Sequence, residues 1–155
     1  MQIGVVSDTH GLLRPELMQL LEESEHILHI GDVGDLEILG KLARIAPVTA
    51  IRGNIDIHGP CAQLPETEVV AFKGRDFYML HDLNRLDLDP IAAGFAAVLS
   101  GHSHIPKIDW KRGTLYLNPG SCGPRRFQLP ITCARLTIPL SGPLQAEILH
   151  LPLLP

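Results

Sequence analysis

Ile3-Gly4-Val5-Val6-Ser7-Asp8-Thr9-His10 begins as a short apolar run rich in β-branched residues and ends in a polar cluster. That pattern predicts a buried strand over Ile3 to Ser7. Arg14 to Glu23 follows, with Pro15 near the first turn and Leu17, Met18, Leu20 and Leu21 at helical spacing. His26 to Ile30 reads as a second strand, stopped by Gly31-Asp32. Leu36 to Ile45 sets Leu36, Leu39, Leu42 and Ala43 on one helix face, and Val48 to Ile51 is a third strand closed by Arg52-Gly53-Asn54. Strand, helix, strand, helix, strand at this spacing implies parallel β-α-β units in an α/β sheet.

The second half has another texture. Thr67 to Phe72 and Asp76 to Leu80 are strands separated by the hairpin signal Lys73-Gly74-Arg75. A short helix around Leu88 to Ala93 leads into a strand over Ala96 to Leu99. Thr114 to Leu117, Thr132 to Ile138 and Leu144 to Leu149 complete the strands, with Gly and Pro between them. Two sheets packed together with helices outside is the expected assembly, in one domain over residues 1–155, since no repeat or linker divides the chain.

Composition narrows the function. The 155 residues carry a formal net charge of −4, with 45% apolar and 19% charged residues. A chain of this length buries roughly two-thirds of its unfolded surface, enough for one real core. The Leu, Ile and Val content excludes a disordered chain. Mild acidity argues against stable nucleic-acid binding, which wants a basic surface. The longest apolar run, Ile91 to Leu99, is too short to span a bilayer, so no membrane partner is expected. The start shows neither a basic leader nor a cleavage signature. Cys61, Cys122 and Cys133 form no C-x-x-C pair, which fits a reduced, cytoplasmic setting.

Each apolar strand is followed by metal-competent side chains: Asp8 and His10, then Asp32, Asn54, His81, and finally His102 and His104. In open α/β sheets the carboxyl ends of strands face one rim, where ligands bind. Singly, each fragment has a plain explanation, as a helix cap, a turn or a surface histidine. Jointly, turn chemistry accounts for Gly31, Gly53 and Gly101 but not for acids, Asn and His after strand upon strand. Two carboxylates, one amide and four imidazoles are too nitrogen-rich for Mg²⁺ or Ca²⁺, and the lack of a cysteine argues against Cu(I) and iron–sulfur clusters. Mn²⁺, Fe, Co²⁺, Ni²⁺ or Zn²⁺ remain, with Mn first. Seven donors exceed the needs of one such ion, whereas two divalent transition-metal ions sharing a carboxylate and a hydroxide use them all. Two such ions outweigh the local carboxylates, so an anionic substrate is attracted although the whole chain is acidic.

Asp8-Thr9-His10, Gly31-Asp32, Gly53-Asn54, His81 and Gly101-His102-Ser103-His104, in that order, resemble the motifs of the calcineurin-like metallophosphoesterase superfamily. The compact length and Asn118-Pro119-Gly120-Ser121 resemble its small, cap-less prokaryotic phosphodiesterase branch. The resemblance implies a two-sheet sandwich flanked by helices, four layers in all. It also implies one metal on Asp8, His10 and His104, a second on Asn54, His81 and His102, and Asp32 as the bridge. A metal-bridging hydroxide would then attack phosphorus in line, with Asp32 and Asn54 as catalytic residues, Asn54 helping to neutralise charge on the phosphoryl oxygens.

Two departures stand out. Ile55 occupies the place where many members carry a histidine for the leaving group, which turns attention to Asp56, His58 or a water. Asp82 follows His81 where a glycine is usual, and either orients His81 or repels an anion. Asn54, His58 and Arg125 are the candidate substrate contacts. Asn118 to Ser121 reads as a rigid positioning turn, and His26, His29 and His150 as structural. The apolar tail from Leu149 to Pro155 either covers the core edge or meets a second subunit, which leaves room for a homo-oligomer. The expected function is a metal-dependent phosphoesterase acting on a small phosphodiester. The alternatives are a phosphomonoesterase or nuclease of the same fold, or a protein-interaction scaffold of the kind that a retromer subunit of the superfamily provides.

Overall fold

The structure, a computed structural model, describes residues 1–153. Its ten strands form two five-stranded sheets. In the first, β1 (Gln2–Val6), β2 (His26–His29) and β3 (Val48–Ala50) run parallel, with Ile3 opposite His26 and Ile27 opposite Val48. The other edge of β1 pairs antiparallel with β9 (Thr132–Thr137), and β10 (Gln145–His150) closes that side. In the second sheet, β5 (Arg75–Leu80), β6 (Ala97–Leu99) and β8 (Thr114–Asn118) are parallel. Antiparallel edges flank them: β4 (Thr67–Phe72) beside β5 and β7 (Lys107–Lys111) beside β8.

Strand alternation assigns each side chain to a layer. Ile3 and Val5 of β1 face the space between the sheets, where they meet Phe77 and Met79 of β5, Leu99 of β6 and Leu115 and Leu117 of β8. Val6 points the other way, into a cluster with Leu17, Leu21, Ile38 and Leu42. Those four belong to or adjoin the two short helices, α1 (Pro15–Leu20) and α2 (Glu37–Leu42), which cover the outer face of the first sheet. Gly4 lies on that face because a Cβ there would come within 2.5 Å of Leu21 Cδ2. The sandwich with helical cover is therefore the architecture that the strand pattern predicts.

Three details differ from the expectation. Both helices are about half as long as their apolar periodicity suggests, because residues 21–23 and 43–45 continue as turns rather than helix. The segment around Leu88 to Ala93 is not helical but turned. Asp89 Oδ1 accepts the Ile91 N–H at 3.0 Å, and Asp82 Oδ1 accepts the Asn84 N–H at 3.0 Å to start a 3₁₀ turn over Leu83–Arg85. Short acidic side chains that bind nearby amides compete with a continuous helix, so the outer face of the second sheet is covered by turns. The third difference is β7, an almost wholly exposed edge strand that lies outside the expected strands although Ile108 and Trp110 alternate with Lys107, Asp109 and Lys111.

The described part of the tail covers the core edge: Leu151 is buried in the helix-side cluster, with Leu149 and Leu153 against it. Leu154 and Pro155 lie outside the described residues. Among the described residues no helix is long and apolar enough to cross a membrane. Phe77 is the largest side chain wholly buried between the sheets. Phe77→Ala is expected to destabilise the fold by about 3–5 kcal/mol, through lost burial and the cavity left behind, read as a shift of the urea midpoint at unchanged m-value.

Candidate metal centre

The parallel strands of both sheets deliver their carboxyl ends to one rim. Asp8 and His10 follow β1, Asp32 follows β2, Asn54 follows β3, His81 ends β5, and His102 and His104 follow β6. Five of these seven residues, Asp8, His10, Asp32, His102 and His104, have positive φ, between 46° and 68°. Non-glycine residues avoid this region because Cβ crowds the following carbonyl, at about 1–2 kcal/mol each. The other positive-φ non-glycine residues described are Lys73 and Arg112, each just before a glycine in a hairpin turn, and the exposed Phe127. Strained backbone is thus concentrated where the side chains must turn inward together.

The motif glycines have a steric explanation. A Cβ on Gly53 would strike Asp32 Oδ1, one on Gly31 would lie 2.7 Å from His81 Nδ1, and one on Gly101 would reach Asp8 Oδ2 at 2.8 Å. Each glycine leaves the space that a neighbouring candidate ligand fills.

Each carboxylate divides its oxygens between two tasks. Asp8 Oδ2 accepts from the Ser7 hydroxyl at 2.6 Å and from the His102 N–H at 3.1 Å. Its Oδ1 faces imidazoles, 3.2 Å from His104 Nε2, 3.6 Å from His10 Nε2 and 3.8 Å from His81 Nε2. Asp32 Oδ1 accepts the Ile55 N–H at 3.0 Å, while Oδ2 lies 3.4 Å from His10 Nε2 and 3.3 Å from His81 Nε2. The rings form two pairs, His10 with His104 and His81 with His102, at centroid separations of 5.4 and 5.3 Å. Asn54 joins the second pair, its Oδ1 being 3.0 Å from His102 Nδ1.

These donors fit a metal. Among the described residues, six buried side-chain N or O atoms lack a hydrogen-bond partner, and five are here: Asp8 Oδ1, His10 Nε2, His81 Nε2 and both ring nitrogens of His104. Buried polar atoms are normally satisfied, so their joint exception needs a common partner. Bonds of about 2.0–2.2 Å to one ion would set adjacent ligand atoms about 3.0–3.5 Å apart, close to most of the spacings observed. Two groups each bring one such atom per residue within 4.8 Å of one another, Asp8 with His10 and His104, and Asp8 with Asp32 and His81.

Electrostatics agree. Burial alone would raise the pKa of Asp8, but the adjacent imidazoles of His10 and His104 and the charge of His81 hold it well below the ordinary carboxylate value. Asp32 is likewise lowered despite burial, through His81 and the Ile55 amide. His81 is pushed down by burial and more strongly up by Asp32 and Asp8. Its Nδ1–H donates to the Ile30 carbonyl at 2.7 Å, which aims Nε2 at the carboxylates. Carboxylates that retain a proton at Nε2 attract a divalent cation still more, so cation binding there releases a proton.

Several expected roles change. Asp8 and His10 do not cap a helix, since Arg14 is the N-cap residue of α1. Asp56 does not face the cluster. Its carboxylate is buried and accepts from the Val33, Gly34 and Gly53 N–H groups at 3.0, 2.9 and 2.8 Å, tying the Asp32 loop to the Asn54 loop. Asp82 does not orient His81; its Oδ2 lies 3.9 Å from His102 Nε2. His58 and Arg125 are exposed, and neither lines the groove of about 800 Å³ that opens beside Asn54, His81 and His102. Arg52, Tyr78 and Arg85 line it instead. Asn118 behaves as a positioning residue: its Nδ2 donates to the Gly101 carbonyl at 2.9 Å and to Ser103 Oγ at 3.1 Å.

The sandwich carries a nitrogen-rich donor cluster at its strand ends, and residues 1–139 match the calcineurin-like phosphoesterase superfamily domain. The chain belongs to that superfamily. It is 36% identical over 132 residues to a probable metallophosphoesterase of Methanothermobacter thermautotrophicus, covering 78% of this chain and 77% of the relative. Two solved structures share the fold. A novel archaeal phosphodiesterase superposes with a TM-score of 0.78 at 22% identity, over 96% of this chain and 100% of its own. Zinc-complexed Vps29 of Entamoeba histolytica superposes with a TM-score of 0.75 at 21% identity, over 97% and 99%.

His29, wholly buried beneath the cluster, has its pKa pushed down to about 4 by burial. Its Nδ1 accepts the Gly31 N–H at 3.2 Å, and its Nε2 meets Thr9 Oγ1 at 3.0 Å. Between about pH 6.5 and pH 4 the unfolded chain takes up a proton at this position and the folded one does not, so stability falls as pH falls through that window. The loss attributable to His29 is expected to reach about 3 kcal/mol near pH 4. Chemical denaturation of the protein and of His29→Gln across that range, with EDTA present throughout, checks it: the variant is expected to show the shallower slope.

Proposed function

We propose that this chain is a dinuclear metal-dependent phosphodiesterase acting on small phosphodiesters, folded as one domain. Asp8, His10 and His104 hold one ion, Asn54, His81 and His102 hold the other, and Asp32 bridges them. The observation that carries this reading is the convergence of five buried, unpartnered donor atoms on one rim. The bridging role is supported by Asp32 Oδ2, almost equally distant from His10 Nε2 and His81 Nε2 at 3.4 and 3.3 Å. Mn²⁺ stands first among Mn, Ni, Fe, Co and Zn, because availability in the cell rather than the affinity of the imidazoles decides among these ions. When bound, two divalent ions supply Lewis acidity, lowering the pKa of water and neutralising phosphoryl oxygens during in-line displacement.

The chain's own groups do the rest. Ser7 and the His102 amide hold Asp8, and the Ile55 amide holds Asp32, so neither carboxylate needs to reorient during the reaction. Asn54, exposed at the mouth of the groove, presents its side-chain amide to a phosphoryl oxygen as charge grows there. Arg85 lines the groove, and so does Arg52, whose guanidinium is paired with Glu66 at 2.8 Å. None of the side chains considered for the leaving group serves it: Ile55 is apolar, Asp56 is engaged with three amides, and His58 lies outside the groove. Esters of acidic alcohols are therefore the better substrates, and rates fall steeply as the leaving alcohol's pKa rises. Three free, buried thiols favour a reducing compartment, the cytoplasm.

After loading with Mn²⁺ or Ni²⁺, the protein is expected to hydrolyse bis(4-nitrophenyl) phosphate and to lose that activity in EDTA. Asp32→Asn and His104→Ala should each lower kcat by about 10³-fold or more, with circular dichroism unchanged. Elemental analysis of the loaded protein should find about two transition ions per chain. Faster turnover of 4-nitrophenyl phosphate or of single-stranded DNA would move the assignment to a monoesterase or a nuclease. No bound metal after loading would favour a scaffold.

A further inference from the structure

A second groove, of about 390 Å³, lies on the outer face of the second sheet, on the other side of the Leu83–Arg85 turn from the first. The two share Asp82 and His102 in their walls, so both open onto the same end of the metal cluster. Both volumes fall in the range of small-molecule sites, about 300–1,000 Å³. Their chemistry differs. The first is dominated by charge, with Arg52, Glu66, Arg85 and Asp87. The second has an apolar wall of Leu83, Ile105 and Tyr116, with Lys107, Asp109 and Lys111 beside it. The Lys111 ammonium lies 4.6 Å from the centroid of the Tyr116 ring, and Ile105 is 52% exposed.

A phosphate monoester has one organic arm and a diester has two. We propose that the second groove is the subsite for the second arm of the diester. The apolar or aromatic arm lies against Tyr116, Leu83 and Ile105, the polar arm lies along Arg52 and Arg85, and phosphorus sits beside His102, where the grooves meet. This rests on the phosphodiesterase reading and deepens it: the preferred substrate is an asymmetric diester with one apolar and one charged or polar arm. Continuity through His102 and Asp82 argues for this occupant, since an arm leaving phosphorus has these two exits. The flexible Lys111 side chain borders the arm and adds a cation–π contact where the arm is aromatic.

Two measurements test the assignment. The first compares bis(4-nitrophenyl) phosphate with methyl 4-nitrophenyl phosphate, which has only a methyl group as its second arm. Ile105→Glu, which puts a charge on the apolar wall at an exposed position, should lower the kcat/KM ratio of the bis-aryl to the methyl ester about tenfold, mainly through KM. Val69→Glu, an exposed change on β4, should leave that ratio unaltered. The second titrates the zinc-loaded protein with diphenyl phosphate, a slow substrate, and follows backbone amide resonances. Shifts are expected at Leu83, Asn84, Lys111 and Tyr116 as well as along Arg52 and Arg85. An unaltered ratio in Ile105→Glu, or shifts confined to the first groove, would overturn the second-arm subsite while leaving a phosphodiesterase in place. Absence of diester turnover with any metal would instead overturn the parent reading, and the amide shifts would still decide whether the second groove takes an aryl arm.

Discussion

Two carboxylates and four imidazoles can share one small volume only if their backbones turn inward at the ends of separate strands. That requirement explains the left-handed conformation of Asp8, His10, Asp32, His102 and His104. Each such residue costs about 1–2 kcal/mol relative to ordinary backbone, so the rim is unfavourable taken alone. What offsets it is the sandwich beneath. The apolar layer between the sheets orders the strands, and the strand ends leave the connecting loops little freedom. The loops are then tied to one another by Asp56 across the Asp32 and Asn54 loops, by Ser121 Oγ donating to the Asp8 carbonyl at 3.0 Å, and by Asn118 on the Gly101–Ser103 segment. Stability is spent where the fold is strongest to hold a geometry that the chain would not adopt locally.

The same arrangement sets the electrostatics. With one oxygen of each carboxylate engaged by protein donors, only the inward oxygen remains free, and it faces histidine nitrogens that have no other partner. Burial disfavours charge on Asp8, Asp32 and His81, yet the carboxylates are held ionised by their neighbours. Divalent cations would resolve the conflict, because each can satisfy lone pairs from several loops together. His29 behaves differently although it is equally buried: both of its ring nitrogens have protein partners, so it stays neutral and supports the loops without taking part in the cluster.

Much of this was legible in the residue pattern, for identifiable reasons. The run from Ile3 to His10 announces its strand because it is buried on both faces and so is apolar throughout, and the polar residues after it stand out by contrast. The same contrast exposes Asp32, Asn54, His81, His102 and His104. β7 lacked that contrast: Ile108 and Trp110 do alternate with Lys107, Asp109 and Lys111, but so short and exposed an edge strand has no continuous apolar run to announce it. The partnership of β1 with β9 was equally hidden, because period-two patterning specifies a face but never a partner some 130 residues away. Around the site, Asp56 and His58 are chemically competent acids in the right stretch, but the direction of a loop side chain depends on which amides lie across from it. In this fold those amides belong to Val33 and Gly34.

The central place of β1 has a kinetic side. This strand, which leads into Asp8, is flanked by β2 on one edge and by β9 on the other, with Val5 opposite Ala134. During synthesis it therefore waits with one edge unpaired until β9, some 130 residues later, has left the ribosome. Closing so long a loop is slow, and the unpaired edge is open to wrong partners meanwhile. Part of the rim is correspondingly late: the Ser121 hydroxyl that holds the Asp8 carbonyl lies beyond all seven donors in the sequence, so a nascent chain carries every donor before it carries this tie.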